Sequence, residues 1–234
     1  RDLWHARSID SRSSKITNKQ TIADWAEQYG EDSDWFKVRV RGLPPNASEV
    51  QYIDSVRVHE AQRRQVVVLP DEPLVAGVDF AWGGSDDNVI RFRRGLDAKS
   101  IPSIRVKGEF TRDPGIMTTR LAEVLSRDYD GRKVAMLFLD SAGIAGPIGN
   151  RLRELGHRNV QEGNFGADSP DSKFRYYRDF MWGAMKDWLL KGSIDTSAEL
   201  EADVTGPGTR PDPRNRVWLE SKEDMKKRGI DSPD

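Results

Sequence analysis

The stretch "LVAGVDFAWGGSDDNVIRFRRG" (74–95) restricts the fold of this chain more than any other part of its sequence. Its two apolar runs, 74–82 and 88–95, are joined by "GGSDD", and Gly and Asp are typical of the turn between antiparallel strands. The first run nevertheless contains Asp79, where an apolar residue would pack at lower cost. The stretch therefore predicts a β-hairpin and raises the question of what Asp79 does inside it.

The segments after the hairpin alternate between strand and helix patterns. Residues 102–110 predict a third strand, and Pro114 begins a segment with apolar residues at mostly helical spacing. The apolar run "KVAMLFLD" (133–140) is typical of a central strand that is buried on both faces. Then follow a short helix over 146–156, a fifth strand over 159–166, and a long helix over 172–192 whose aromatic stripe we interpret as core packing. We therefore predict an α/β domain, with a mixed central β-sheet flanked by helices.

The composition excludes several classes of protein. Charged residues make up 32% of the 234 positions and sum to a net charge of −1, so any basic surface has to be local. There is no cysteine, which excludes disulfides, thiolate metal ligands and a cysteine nucleophile. No apolar run approaches the roughly 20 residues that span a membrane. No charged-then-apolar leader opens the sequence, so we expect a protein that is not secreted.

Residues 1–70 lack the regular strand and helix patterns of the rest of the chain. We interpret them as a connecting segment ahead of a domain over 71–234. "TNKQTIADWAEQYGED" predicts a helix that is capped by Thr17 or Asn18 and stops at Gly30. "DWFKVRVRGLPP" alternates apolar and basic residues, which is typical of an edge strand or an extended linker. The following residues, up to Gln65, show loop and helix fragments without a convincing core period.

Asp140 stands in the same kind of context as Asp79, because each lies in an apolar strand and is followed by small residues. A carboxylate in apolar surroundings is costly unless it is paired or bound to a cation. One explanation is an ion pair with a basic neighbour such as Arg91 or Arg105. The other is a shared metal site, since two such strands could be neighbours and Mg²⁺ and Mn²⁺ prefer oxygen ligands. The spacing leaves both explanations open.

Other catalytic motifs are not found in the sequence. The glycines after Asp140 fit neither the dinucleotide fingerprint nor a Walker A loop, so we do not expect this chain to hydrolyse ATP unaided. Ser141 is not surrounded by a nucleophile-elbow pattern. His5, His59 and His157 show no metal-ligand spacing, so any metal has to be held mostly by oxygen ligands.

Four pieces of the sequence occur in a characteristic order: "GVDFAWGGSDDNVIRFRRG", "LFLDSAGIAGPIGNRLRELG", "KFRYYRDFMWGAMKDWLLKGSI" and "LESKEDMKKRGIDSPD". Together they resemble the C-terminal nuclease domain of the large terminase subunit of tailed bacteriophages, over most of residues 74–234. The stretch "SIDSRSSKITNKQTIADWAEQYGEDSDWFKVRVRG" resembles the segment that joins the ATPase motor of this family to its nuclease.

The resemblance implies an RNase H-like fold and a metal-dependent endonuclease that cuts concatemeric viral double-stranded DNA during genome packaging. It implies two-metal phosphodiester hydrolysis with little sequence preference, using two ions of Mg²⁺ or Mn²⁺. Asp79 would be the metal ligand on the first strand and Asp140 the ligand at the end of the later parallel strand. The third acidic position falls on Asp234, with Asp231 ranked behind it, and the family's motif continues with a further aspartate shortly after Asp234.

The resemblance also implies partners: double-stranded viral DNA, the terminase ATPase domain, the small terminase subunit and the portal protein, in the cytoplasm of an infected bacterial host. The candidate phosphate contacts are basic residues near the end of the chain, which could equally form a solvated face: Lys222, Lys226, Lys227, Arg228, Arg214 and Arg216. Two alternatives to the packaging nuclease remain. One is a junction resolvase of the same RNase H-like fold; the other is a non-catalytic docking module for a motor or portal, whose aspartates form structural ion pairs.

Overall fold

The computed structural model describes residues 7–31, 36–43, 51–81, 86–140 and 145–230. In these residues a mixed sheet has the strand order β6-β5-β1-β2-β3-β7, with β4 also paired to β2. Its strands are β1 Leu74–Asp79, β2 Asp87–Arg94, β3 Asp97–Ala98, β4 Ile104–Lys107, β5 Met136–Asp140, β6 Val160–Gly163 and β7 Ser193–Ile194. A separate antiparallel ribbon contains β8 Thr209–Pro211 and β9 Val217–Leu219.

The predicted hairpin is present, because β1 and β2 pair antiparallel from Leu74 opposite Arg94 to Asp79 opposite Val89. β4 adds to β2 antiparallel, while β5 lies parallel to β1 and β6 lies parallel to β5. The predicted third, central and fifth strands are therefore confirmed, with shorter bounds, and so is the mixed α/β sheet.

The helices are α1 Lys19–Tyr29, α2 Ser55–Arg63, α3 Pro114–Ser126, α4 Ala145–Glu154, α5 Tyr177–Trp188, α6 Ala198–Thr205 and α7 Lys222–Lys227. Helices α3 and α4 cover one face of the sheet, which we call the back face. There Leu137 and Leu139 of β5 pack with Leu121 of α3 and Ile148 of α4, all nearly inaccessible to solvent. None of the described helices is long and apolar enough to cross a bilayer.

The opposite face of the sheet, which we call the front face, is more open at β1 and β5. Because strand side chains alternate between faces, Phe138 lies on the front face between two buried leucines. Its side chain is 42% exposed, and Gly77, its neighbour on β1, is also exposed. The prediction that β5 is buried on both faces is therefore wrong: the described helices bury its leucines on the back face and leave Phe138 accessible on the front face.

A second core lies at the β7 edge of the sheet and joins helices from distant parts of the chain. Its buried residues are Tyr52, Ile53, Val58, Ala61, Leu189, Ile194, Val204 and Leu219. Arg64, just after α2, donates to the backbone oxygens of Leu189 and Gly192 at 2.8 and 2.6 Å. The domain division at residue 70 stays a prediction; since α2 packs with α5 and α6, we propose to group residues from 51 onward with the sheet.

Helix α1 forms a third, smaller cluster with the residues after it. Asn18 caps α1 and Gly30 ends it at φ 77°, as the sequence predicts. The predicted edge strand or extended linker is wrong over Lys37–Arg41, which forms a π-helical turn ended by Gly42 at φ 60°. Phe36, just before that turn, and Val40 within it are buried against α1, whereas Val38 is 47% exposed. An alternating strand would place all three side chains on one face.

The long helix predicted over 172–192 is shorter, because α5 begins at Tyr177. The preceding residues run alongside the ribbon instead, with Phe174 bridged to Val217. Of the stripe residues, Leu189 is buried in the second core and Met185 and Trp188 pack against it, so the core-packing interpretation holds for them. Helix α6 and strand β8 were not foreseen from the sequence.

Candidate active site

Asp79 and Asp140 lie side by side where β1 and β5 end. The two strands are parallel neighbours with Val78 beside Leu139, so the next residue of each strand falls at the same level. Neighbouring strands are about 4.8 Å apart. Since Val78 and Leu139 both pack on the back face, both aspartates belong to the front face. The two carboxylates therefore share one site at the edge of the open face.

The surroundings of Asp79 oppose its ionisation. Burial is the main cause that raises the pKa of Asp79, and the negative charges of Asp140 and Asp86 also raise it. Lys222 and the backbone N–H of Phe80 lower the pKa, without cancelling the rise. Although Asp79 remains accessible to solvent, the protein atoms around it displace part of its hydration shell. A cation bound beside Asp79 would therefore relieve an unfavourable negative charge.

The two arginines considered as ion-pair partners of Asp79 are engaged elsewhere. Arg91 lies 2.8 Å from Asp195, and Arg105 lies 2.8 Å from Glu199 on α6. Both acids belong to the segment around β7 and α6, so these pairs fasten that segment to the sheet. The ion-pair explanation for Asp79 is therefore wrong for both arginines.

Helix α7 brings a basic residue to the carboxylates. Ser221 caps the helix by accepting a hydrogen bond from the N–H of Asp224, which places Lys222 in its first turn. The positive charge of Lys222 lowers the pKa of Asp79, so this candidate DNA contact lies at the site. Lys226 and Lys227 are exposed further along α7.

Three of the other candidate DNA contacts have ion-pair partners, and Lys227, which lies 3.4 Å from Asp224, keeps an exposed side chain. Arg228 pairs with Glu220 and donates to the carbonyl of Gly206 at 3.0 Å. Arg216 lies 2.7 Å from Asp212, which it holds at the turn of the β8–β9 ribbon. Arg214, on the same turn, is exposed. The basic residues that the structure leaves most accessible are therefore Lys222, Lys226, Lys227 and Arg214.

The third acidic position is not placed. Asp231 and Asp234 lie outside the residues that the structure describes. Within the described ranges, no group of three or more His, Asp or Glu side chains is arranged to hold a metal ion. Asp79 and Asp140 are thus two candidate ligands, and a third from Asp234 or Asp231 stays a prediction.

The beginning of α5 borders the site on the β6 side. Gly163 of β6 lies beside Asp140 in the sheet. A Cβ at Gly163 would lie 3.4 Å from the ring of Phe165 and 3.8 Å from the ring of Tyr177, so both rings stand over Gly163, the sheet neighbour of Asp140. The backbone N–H of Arg178 donates to the carbonyl of Phe165 at 3.0 Å. Sequence reasoning missed these residues, because Tyr177 was counted with the core stripe and Arg178 carried no motif.

The fold and the site together define a class of protein. The strand order β4-β2-β1-β5-β6, with an antiparallel first part and two parallel strands after it, is that of an RNase H-like fold. The site is a carboxylate pair on the two central parallel strands, with a lysine beside it. Such a site can bind cations through oxygen atoms and can attract phosphate through the lysine.

Solved structures that are similar to this chain include nuclease domains of viral terminases. The nuclease domain of the large terminase subunit gp2 of bacterial virus Sf6, as a mutant with manganese and β-thujaplicinol, has a TM-score of 0.57 and 17% identity to this chain. The match covers 77% of this chain and 93% of that one. The same Sf6 domain in another structure has a TM-score of 0.55 at 17% identity, with equal coverage. A mutant Sf6 domain with calcium has a TM-score of 0.55 at 16% identity.

Comparisons of the sequence with protein-family models and with curated proteins find no match. The likeness to the Sf6 domain therefore concerns the fold, and it confirms the RNase H-like α/β architecture expected from the sequence.

Proposed function

We propose that this chain contains the nuclease module of a phage large terminase subunit, which cuts concatemeric double-stranded viral DNA during genome packaging. The observation that carries the proposal is the position of Asp79 and Asp140 at the same level on neighbouring parallel strands. Further support comes from the fold, which the chain shares with the Sf6 terminase nuclease domain.

The residues present fit a divalent cation. Two carboxylates supply the oxygen ligands that Mg²⁺ and Mn²⁺ prefer, and the raised pKa of Asp79 marks a position where a cation is favourable. The Sf6 domain was solved with manganese and with calcium, which supports the same chemistry here. We propose two ions, held by Asp79 and Asp140 together with Asp234 or Asp231. When bound, such ions polarise a phosphodiester and lower the pKa of bound water.

The chain's own residues orient the DNA and offset its charge. Lys222 supplies a positive charge beside Asp79, where a phosphodiester has to approach. Exposed Lys226, Lys227 and Arg214 can contact backbone phosphates further from the site. Contacts of this kind position a duplex without reading its bases, so cleavage with little sequence preference follows.

The same proposal supplies the partners and the location. In a packaging machine the nuclease works with the terminase ATPase domain, the small terminase subunit and the portal protein, in the cytoplasm of the infected host. Helix α1 and the described residues 36–41 share a small apolar cluster of their own, which fits a segment connecting the nuclease to a motor.

A plasmid-cutting assay tests the nuclease directly. With Mn²⁺ or Mg²⁺ the chain should convert supercoiled plasmid into nicked and linear forms. Asp79→Asn and Asp140→Asn should each lower the rate by about a hundredfold or more, because each removes a charged group that acts on the reacting phosphate. Asp187→Asn, at an exposed position on α5, is the matched control and should retain full activity. Activity that survives both site substitutions in folded protein would show the proposal to be wrong.

Thermal unfolding separates the nuclease from a docking module without using activity. A cation that binds only the folded chain at a hundred times its Kd stabilises it by about 2.7 kcal/mol. We expect Mn²⁺ to raise the Tm of the wild type and to have no effect on Asp79→Asn. A docking module predicts no effect of Mn²⁺ on either protein, and a junction resolvase predicts strong preference for four-way junctions over linear DNA.

A further inference from the structure

Arg178, the second residue of α5, has no carboxylate partner among the residues that the structure describes. Burial lowers the pKa of its guanidinium, and the adjacent Asp179 opposes this only in part. Its side chain donates to the carbonyl oxygen of Glu220 at 3.2 Å. In the part of the chain that the structure describes, that carbonyl is its one hydrogen-bond acceptor, and no carboxylate lies within 4.0 Å.

This setting is costly for an arginine. The guanidinium has five N–H donors in a planar fork, and a partly buried charge is normally matched by a counter-charge. Other partly buried arginines in the chain have either a carboxylate partner, as Arg91 has Asp195 and Arg216 has Asp212, or several backbone acceptors, as Arg64 has two carbonyls. Within the described ranges, the donors of Arg178 that remain after the bond to Glu220 meet no acceptor, so an anion from outside the chain can bind them.

Arg178 connects the two segments that flank the carboxylate pair. Its backbone N–H bonds to Phe165, in the loop that follows Gly163 and so begins beside Asp140. Its side chain reaches Glu220, in the segment that leads directly into α7 and Lys222. The guanidinium thus sits between the strand end beside Asp140 and the helix that delivers Lys222 to Asp79.

We propose that Arg178 binds the backbone phosphate that neighbours the scissile phosphate on the same DNA strand. This subsite rests on the proposed nuclease function and deepens it. A guanidinium fork matches two phosphate oxygens at once, which a lysine cannot do, so arginine suits a fixed contact beside the reacting group. Lys222 and Arg178 then act on different phosphates and set the register of the strand at the carboxylates.

The competing explanation is structural: Arg178 only holds the carbonyl of Glu220 and thereby the start of α7. The salt dependence of DNA binding distinguishes the two roles. Each duplex phosphate that a cation neutralises contributes about 0.9 to the slope of log K against log salt concentration. A structural arginine affects the Tm without changing that slope.

The experiment measures binding of a short fluorescent duplex by anisotropy in EDTA, so that no cutting occurs, over a series of salt concentrations. We expect Arg178→Gln to bind about tenfold more weakly at low salt and to lose about 0.9 from the slope. Arg178→Lys should keep the slope and bind severalfold more weakly, because it keeps the charge and loses the fork. Arg64→Gln is the matched control, since Arg64 also binds backbone carbonyls, and it should keep the wild-type slope.

A wild-type slope in Arg178→Gln overturns the proposal, whatever happens to its Tm. Should that variant fail to fold, Arg178→Lys decides: weaker binding at an unchanged slope supports the subsite, and unchanged affinity overturns it. If the wild type cuts plasmid DNA and Arg178→Gln binds DNA with the wild-type salt slope, only the subsite is refuted. A wild type that neither cuts nor binds DNA refutes the proposed function, and the subsite falls with it.

Discussion

Asp179 is the buried carboxylate on which the position of α7 depends. Asp179 lies in the first turn of α5 and is only 1% exposed. One oxygen accepts from the backbone N–H of Tyr176 at 2.9 Å, and the other accepts from the backbone N–H of Leu219 at 3.1 Å. It therefore caps α5 and at the same time ties that helix to β9, which leads into Lys222. We expect Asp179→Ala to destabilise the whole chain strongly.

The magnitude follows from the two donors that lose their acceptor. The N–H of Leu219 is buried, so leaving it unsatisfied costs about 1–3 kcal/mol. The N–H of Tyr176 is only partly buried, and losing the cap costs about 1 kcal/mol. The sum is about 2–4 kcal/mol, which for a chain of this length lowers the Tm by about 4–16 °C. Asp179→Asn keeps one acceptor oxygen and should lose about half as much.

Urea unfolding followed by circular dichroism, with a parallel thermal scan, measures both quantities. Asp187→Ala is the control, because Asp187 lies on the same helix and is exposed, and it should change the free energy of unfolding by less than about 0.5 kcal/mol. A loss of less than about 1 kcal/mol in Asp179→Ala would mean that the bond to Leu219 does not fasten β9 to α5. Plasmid cutting should also fall in Asp179→Ala at temperatures where it is still folded. Without the bond from Asp179 to Leu219, β9 no longer fixes the position of Lys222.

Two further predictions concern the ribbon and the packing of α5. Burial would raise the pKa of Asp212, but hydrogen bonds from the side chain and backbone of Arg216 and the backbone of Arg214 outweigh it and lower the pKa. Its stabilisation is thus complete above the ordinary value of 3.8 and is lost as the pH falls through the lowered pKa, so Asp212→Asn should melt below the wild type at pH 7 and approach it in acid. Gly183→Ala should cost about 1–3 kcal/mol in urea unfolding, because its Cβ would lie 2.3 Å from Phe174.

The parts of the fold that the sequence predicts well are those whose pattern is local. The hairpin follows from the Gly and Asp turn between apolar runs, and α1 follows from its cap Asn18 and its stop Gly30. Helix α6 escaped prediction because it is short and follows a loop without a strong apolar period. Strand β8 was not predicted because the Pro- and Gly-rich segment "TGPGTRPDPRN" is typical of a flexible loop, whereas Asp212 fixes the turn after β8 by accepting hydrogen bonds from the N–H of Arg214 and of Arg216.

The residues of the candidate site also differ in whether a local sequence pattern reveals them. Asp79 and Asp140 were found because each is a carboxylate that follows an apolar strand, and that signal lies within a few residues of each position. Their adjacency needed one assumption, that β1 and β5 are neighbours, which the register bears out. Arg178 had no comparable signal, since its surroundings come from β6, β9 and α5 and only the folded chain brings them together.

The wrong prediction about β5 concerns a packing rule that fails on the front face of the sheet. An unbroken apolar run normally means a strand covered on both faces, yet Phe138 remains 42% exposed one position before the buried Leu139. On the neighbouring strand Gly77 has no side chain, and a Cβ there would meet nothing within 4 Å. Both positions lie on the face that carries Asp79 and Asp140, and there the described elements leave the sheet accessible. If the carboxylates cut DNA, as we propose, this opening is required, because a phosphodiester within a duplex can reach them only across an uncovered part of the sheet.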